Sequence, residues 1–188
     1  MQFSRRTTQI TQFSMRPLSS QNRVCRSLRW ALLIVLNAAA VHGNAAEDRQ
    51  WLQFHDSDQR YLELSLARVN DLSQRTLGSS LQQRRQHDLA LLQRLLDRRA
   101  VSADQRYVLQ GMGVALGELL RRECSLKWGL YRDRYGQSRA LKSRHSQQAL
   151  FPITMVSRRI EAGLEVDISA LYQSAKQRLQ PPCGKLAQ

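Results

Sequence analysis

The stretch LQGMGVALGELL, residues 109–120, decides the fold because its three glycines are compatible with two different structures. A dinucleotide-binding loop needs the spacing G-x-G-x-x-G between a strand and a helix. Here the third glycine comes one residue too late, since position 116 is leucine, and residues 102–110 begin a helix rather than a strand. A P-loop is excluded as well, because no G-K-[ST] follows the glycines.

On a helix, Gly113 and Gly117 share one face because they are four residues apart. A face without side chains lets another backbone come close. That packing must offset the cost of about 1 kcal/mol that each glycine imposes on a helix interior. We therefore predict that Gly113 and Gly117 are helix-packing positions and that the chain binds no nucleotide or other cofactor there.

The spacing of apolar residues predicts two helices before this one and two after it. The expected helices run from Asp56 or Ser57 to Gly78, over residues 87–99, from the Ser102/Gln105 capping box to about Arg122, from Pro152 to Gly163, and from Asp167 to Pro181. Their apolar residues recur every three or four positions, as expected for helices with one buried face.

Between the third and fourth helices the apolar spacing changes to two, which is typical of strands. Strands are expected over residues 126–131, 138–144 and 148–151, with a turn at 133–136. Helices, then a small sheet, then helices indicate an α+β fold. We predict one domain over residues 47–188, with about five helices around a three-stranded antiparallel sheet.

The first 46 residues differ from the rest, with six arginines and no acidic residue. The apolar run at 30–43 is shorter than the roughly 20 residues that span a membrane. Small residues follow it in GNAAED. This order is typical of a secretory signal peptide, with cleavage after Ala45 or Ala46. Met15 is an alternative start, and an uncleaved anchor is the other interpretation of residues 1–46.

Removal of residues 1–46 lowers the formal net charge from +14 to +8, so the remaining chain is still basic. It retains two cysteines, Cys124 and Cys183. In an oxidising compartment an even pair favours a disulfide. Closing a loop of about sixty residues would contribute about 4 kcal/mol in the chain-entropy account. The alternative is two free thiols.

Residues 127–144 carry six basic residues against a single acid, Asp133. The six are Lys127, Arg132, Arg134, Arg139, Lys142 and Arg144. With Trp128, Tyr131 and Tyr135 between them, they are typical of a strand surface that meets an anionic polymer. The expected partner is an anionic envelope component or an acidic protein; nucleic acid is not expected, and membrane contact is expected only through residues 1–46. The alternative is a solvated hairpin whose aromatic residues pack on the core.

Metal ligation and nucleophilic catalysis are poorly supported by the sequence. His55, His87 and His145 stand apart in polar segments without the spacing of metal ligands, so no metal site is predicted. Cys124 with His145 is a conceivable nucleophilic pair, but this interpretation competes with the disulfide.

Glu118 is the one acid beside the glycines. We expect it to be half-buried and paired with Arg158 or Arg159. A general-acid role would need a second positioned group, which the sequence does not identify. No catalytic residue is therefore assigned, although an enzyme that uses Glu118 would have a deep pocket beside it.

Four stretches from the third helix onward share the pattern of one family. They are LQGMGVALGELL (109–120), LKWGLYRDRYGQSRAL (126–141), LFPITMVSRRIEAG (150–163) and VDISALYQSA (166–175). Their combination resembles the uncharacterised bacterial family called domain of unknown function 3806. The resemblance implies a small domain that often follows a secretion signal, and it implies no reaction, cofactor or catalytic residue. Cys124, Cys183 and the arginines near the turn depart from the family pattern.

These features predict a periplasmic or secreted protein that acts as a non-enzymatic binding or accessory module of the cell envelope. Two other functions stay open. One is an envelope hydrolase or transferase that uses Glu118, and the other is an immunity or inhibitor protein directed against an envelope toxin.

Overall fold

A computed structural model describes residues 49–144, 148–179 and 183 of the chain. Within these residues it has five helices and one antiparallel sheet of four strands in the order β1-β2-β3-β4. The helices are α1 (Asp56–Leu77), α2 (Arg85–Asp97), α3 (Arg106–Glu123), α4 (Ile153–Glu161) and α5 (Ile168–Gln177). The strands are β1 (Gln50–Leu52), β2 (Lys127–Asp133), β3 (Gly136–Lys142) and β4 (Ala149–Leu150). The α+β fold class and the five helices are confirmed.

The prediction of three strands was wrong by one strand, because β1 was missed. β1 is three residues long and pairs with β2, with Trp51 opposite Tyr131 and Leu52 opposite Leu130. Three residues are too few to show an alternating pattern. β1 forms because a partner about eighty positions away in the chain supplies its hydrogen bonds, which local sequence does not reveal.

Several predictions fall outside the described residues. They concern the signal peptide and the alternative start within residues 1–46, His145, and the helix stop at Pro181. Among the described residues, no helix combines the length and the apolar content that crossing a bilayer requires.

The helix ends show how local chemistry sets the boundaries. α1 begins one residue after His55, whose N–H donates to the Asp58 carboxylate at 3.1 Å, so the N-cap lies just before the predicted Asp56 or Ser57. It ends at Gly78, as predicted, where φ is 62° and glycine is favoured. Asp167 caps α5 by accepting from the N–H of Ala170 at 2.8 Å.

The capping box predicted for α3 forms a turn just ahead of that helix. The side-chain oxygen of Gln105 accepts from the N–H of Ser102 at 3.1 Å, and the helix proper begins at Arg106. Pro152 likewise occupies the N-cap of α4, one position before the predicted first turn.

Helix α3 is the central element, since ten of its residues are buried and α1 and α4 pack along it. A Cβ atom at Gly113 would lie 2.4 Å from the carbonyl oxygen of Pro152 and 2.5 Å from that of Ile153. A Cβ atom at Gly117 would lie 2.7 Å from the ring of Trp128. The glycine face is therefore filled by the start of α4 and by Trp128.

A disulfide joins Cys124, directly after α3, to Cys183 near the end of the chain. The two Cα atoms are 5.0 Å apart, and both residues pack against the main core cluster. Cys124 therefore carries no free thiol in this structure, and the alternative of a Cys124–His145 nucleophilic pair is wrong for the bridged protein.

Candidate functional site

Glu118 lies at the end of the glycine face of α3, close to the start of β2. Its Oε1 atom accepts a hydrogen bond from the indole Nε1 of Trp128 at 2.7 Å. Arg121, on the next turn of the helix, donates to both carboxylate oxygens at 2.9–3.1 Å. Gly117 makes room for this arrangement, because a side chain there would overlap the Trp128 ring. Residues from two of the family-like stretches thus meet at one carboxylate.

The charged partner of Glu118 is not the one predicted. The sequence interpretation named Arg158 or Arg159 on α4, but the ion pair forms with Arg121 on α3 at 2.9 Å. Arg159 instead donates to the carbonyl oxygen of Met155 at 2.7 Å. The spacing i, i+3 on one helix was the available signal, because such side chains face each other without any tertiary contact.

A cavity of about 350 Å³, here called the α1–β2 cavity, opens beside Glu118 between α1, the end of α3 and the start of β2. Its apolar lining consists of Phe54, Leu62, Leu66, Leu126 and Trp128. Small-molecule sites are typically clefts of about this size, but this cavity is more polar than most of them, because half of its lining residues are polar. The sequence analysis expected a pocket beside Glu118 only if the protein is an enzyme. It did not identify the walls of this cavity, because α1 and β2 are far apart along the chain.

The charged side chains of the α1–β2 cavity are Glu63, Glu118, Arg121 and Lys127. Glu118 and Arg121 neutralise each other. The Oε1 atom of Glu63 accepts from the amide of Gln59 at 3.0 Å, and no donor among the described residues reaches Oε2. Lys127 is exposed and forms no ion pair within the described part of the chain.

The six basic residues predicted as one anion-binding surface lie on the β2–β3 hairpin and just after it, but they do not share a face. Successive residues of a strand point to opposite sides of the sheet. Lys127 and Lys142 lie on the outer face, Arg132 and Arg139 on the face toward the helices, Arg134 in the turn, and Arg144 beyond β3.

Arg139 is engaged inside the protein. Its Nη2 atom lies 2.8 Å from Oδ1 of Asp58, a buried residue at the start of α1. Its guanidinium carbon also lies 4.2 Å from the centre of the Tyr61 ring. Arg139 therefore connects β3 to α1, and it is not available to an external anion.

The aromatic residues of the outer face pack on the sheet. Trp51 and Tyr131 meet edge to face with centroids 5.1 Å apart, and Phe151 contacts Tyr131 at 5.6 Å in the same way. The ammonium of Lys142 lies 5.3 Å from the centre of the Trp51 ring. Tyr131 is therefore enclosed by aromatic rings of the sheet itself, whereas Trp128, on the other face, packs against the main core cluster.

The hairpin tip, residues 132–136, is exposed at every position except Asp133, which is partly buried. The guanidinium of Arg134 stacks on Tyr135 with 4.7 Å between its carbon and the ring centre. Tyr135 is 82% exposed, more than any other large apolar residue of the described chain. The Asp133 carboxylate accepts from the N–H of Tyr135 at 2.8 Å, which fixes the turn.

The two histidines in the described residues have structural neighbours. Nδ1 of His87 lies 2.9 Å from the buried carboxylate of Asp88, which also accepts from the N–H of Gln82 at 2.8 Å. His55 occupies the N-cap of α1. Within the described residues, no group of three or more metal-ligating side chains comes together.

A second charged network, at the end of α3, was missed from the sequence. Glu123 accepts from the hydroxyl of Tyr172 and from the ammonium of Lys176, and Nη1 of Arg85 lies 3.0 Å from its Oε1. Burial and then the hydrogen bond to Glu123 raise the pKa of Tyr172 above its usual range. The network joins α2, α3 and α5.

Comparison with known proteins finds a family model and a solved structure that are similar to parts of this chain. The family model described as Domain of unknown function (DUF3806) matches residues 88–172, which confirms the predicted resemblance. A crystal structure of a protein from Bacteroides thetaiotaomicron VPI-5482 shares the fold with a TM-score of 0.61 at 18% sequence identity. The match covers 68% of this chain and 47% of that chain, so this chain spans about half of its length. No curated protein matches the sequence.

Proposed function

We propose that this protein, whose residues 88–172 match a family without an assigned reaction, is an exported and non-enzymatic binding module of the cell envelope. The proposed contact surface is the hairpin tip, and the proposed partner is the phosphate-bearing part of lipopolysaccharide. The observation that carries the proposal is the exposed Arg134–Tyr135 stack at the end of the β2–β3 hairpin. Arginine and tyrosine are enriched among the residues that dominate binding energy at interfaces.

Two features support export. Residues 1–46 have the composition of a signal peptide. The Cys124–Cys183 disulfide is of a kind that persists in oxidising compartments. The intact mass of the exported protein tests this part, because it should correspond to a chain that begins at Ala46 or Glu47. A chain that retains residues 1–46 would contradict cleavage.

The state of Glu118 supports binding rather than catalysis. Both of its oxygens already accept hydrogen bonds, from Arg121 and from Trp128. A carboxylate in this arrangement anchors the start of β2 to α3. It would have to leave two partners before it could transfer a proton.

The test compares R132Q/R134Q at the hairpin tip with R94Q/R98Q, two exposed arginines in the last turn of α2 and directly after it. The two variants lose the same charge from exposed arginines. Each arginine near an anionic lipid surface contributes about 1 kcal/mol, so the tip variant should bind lipopolysaccharide about 30-fold more weakly at low salt. Binding of purified protein to immobilised lipopolysaccharide measures this.

Equal losses in the two variants would show that only net charge matters, and the hairpin tip would have no special role. An unchanged affinity of R132Q/R134Q would also contradict the proposal. If this protein bound an acidic protein through the hairpin tip and had no measurable affinity for lipopolysaccharide, the proposed surface would stand and the proposed partner would be wrong.

A second candidate function is hydrolysis or group transfer with Glu118, and the α1–β2 cavity beside this residue favours it. It predicts that ester, amide or glycoside substrates are turned over by the natural protein and not by E118Q at the same folded fraction. Equal rates for the two proteins would reject this function.

A further inference from the structure

We propose that the α1–β2 cavity binds a small zwitterion with an apolar side chain, of the size of a dipeptide with free termini. This site is distinct from the hairpin tip and does not depend on the function proposed for it. Its volume of about 350 Å³ corresponds to about a dozen water molecules. The apolar side chains around it form a surface that a hydrocarbon side chain would cover, with release of that water.

The cationic side of the cavity offers two donors to a ligand carboxylate. Lys127 has no ion-pair partner among the described residues. Arg121 uses Nε and Nη2 to hold Glu118, which leaves its Nη1 group without a hydrogen bond in the described part of the chain. Because Glu118 fixes the Arg121 side chain, this donor is positioned before any ligand arrives, which lowers the entropic cost of binding.

The anionic side of the cavity offers Glu63. Its Oε1 atom is occupied by Gln59, whereas its Oε2 atom has no donor in the described part of the chain and can accept from a ligand ammonium group. Glu63 belongs to α1 and Lys127 to β2, so the two charges stand on different walls. The Lys127 side chain leaves β2 on the outer face, so its ammonium reaches a ligand around the strand edge that β1 leaves uncovered. A ligand with its ammonium and carboxylate at opposite ends can reach both walls.

The charge balance selects a zwitterion over a simple anion or cation. The four ionised side chains at the cavity sum to zero, and two of them, Glu63 and Lys127, have no ionic partner there. An anionic amphiphile would satisfy Lys127 and be repelled by Glu63, and a cationic one would do the reverse. A zwitterion satisfies both, and removal of either of its charges should weaken binding.

The experiment measures binding of leucyl-leucine to the full exported chain by isothermal titration calorimetry. The key variant is K127Q, and its control is K142Q, because Lys142 lies directly opposite Lys127 on the same face of the sheet but does not line the cavity. Loss of a charged hydrogen-bond donor should weaken binding about tenfold in K127Q. K142Q should bind as the natural protein does.

The other arm pairs E63Q with N-acetyl-leucyl-leucine, which lacks the ammonium group. E63Q should weaken binding of leucyl-leucine. The same variant should strengthen binding of the acetylated peptide, because that anion is no longer repelled by Glu63. Melting temperatures of the three variants verify that each is folded. The proposal is overturned if leucyl-leucine shows no saturable binding at millimolar concentration, if K142Q weakens it as much as K127Q, or if decanoate binds more tightly than the dipeptide.

Discussion

Helix α3 and the β2–β3 hairpin follow each other along the chain, but their tertiary contacts differ in how well the sequence predicts them. On α3, Gly113 and Gly117 lie four residues apart and meet the backbone of α4 and the ring of Trp128. On the hairpin, Arg139 and Lys142 sit near each other in sequence and point to opposite faces. One reaches Asp58 on α1, and the other lies over Trp51 on β1.

The residues that share a helix face can be predicted from their spacing alone. Whether a charged side chain on a strand is buried or exposed depends instead on which other segment packs on that face of the sheet. Small residues at helical spacing indicate close packing whatever the neighbour is. Charges on a strand can be buried, stacked or free, according to partners more than fifty residues away. Substitutions in the two regions should therefore differ in size and in kind.

The largest effect is expected for G113A. A Cβ atom there would meet two carbonyl oxygens of the chain at 2.4 and 2.5 Å, and these can retreat only if the start of α4 moves. Overpacking typically costs about 1–3 kcal/mol and sometimes more, which outweighs the gain of about 1 kcal/mol in helix propensity. We expect G113A to lower the free energy of unfolding by about 3 kcal/mol, measured by urea denaturation.

G117A is the matched control for G113A. Its added methyl group would meet side-chain atoms of Trp128 and Pro152 at 2.7 and 2.8 Å, and side chains can shift more easily than backbone. A smaller loss of about 1 kcal/mol is expected. If G117A proved the more damaging variant, close approach of backbones would not be the reason for the glycine face.

The next largest change in stability is expected on the hairpin, where Arg139 is paired and Arg134 is exposed. R139Q removes the cation from a pair in which the Asp58 side chain is only 7% exposed, and the remaining carboxylate would keep the N–H of His55 as its donor. Breaking a buried pair costs about 3–5 kcal/mol, and the partial exposure of Arg139 reduces this to about 2 kcal/mol.

R134Q is the control, since Arg134 is exposed in the turn. Its free energy of unfolding should stay within about 0.5 kcal/mol of the natural value. Similar urea midpoints for R139Q and R134Q would mean that the Asp58–Arg139 pair contributes no more than a surface charge does.

The sequence was sufficient where one segment determines its own structure. Helical spacing, Gly78 as a helix end and Asp167 as a cap depend on neighbours a few residues away. Strand β1, the α1–β2 cavity and the network of Glu123 depend on contacts between segments 38 to about 80 residues apart. The Glu118–Trp128 hydrogen bond was predictable only in part. Both residues belong to the family-like stretches, but their contact requires the turn after α3, which the sequence did not specify.

The smallest expected effect concerns Glu123, which stabilises the end of α3 through charge rather than shape. Partial burial acts to raise the pKa of Glu123, but hydrogen bonds from Lys176 and Tyr172 and the charges of Lys176 and Arg85 outweigh it and hold the pKa below its usual range. A carboxyl group whose pKa is lower in the folded state favours folding above its unfolded pKa of about 4.3, and this contribution is lost as the pH falls through the folded value.

E123Q should therefore lower the urea midpoint at pH 7 and change it much less at pH values below the folded pKa. E165Q, an exposed glutamate on the loop before α5, serves as the control for loss of one negative charge. An equal loss for E123Q at both pH values would assign the effect of this residue to packing, as on the glycine face, and not to its ionisation.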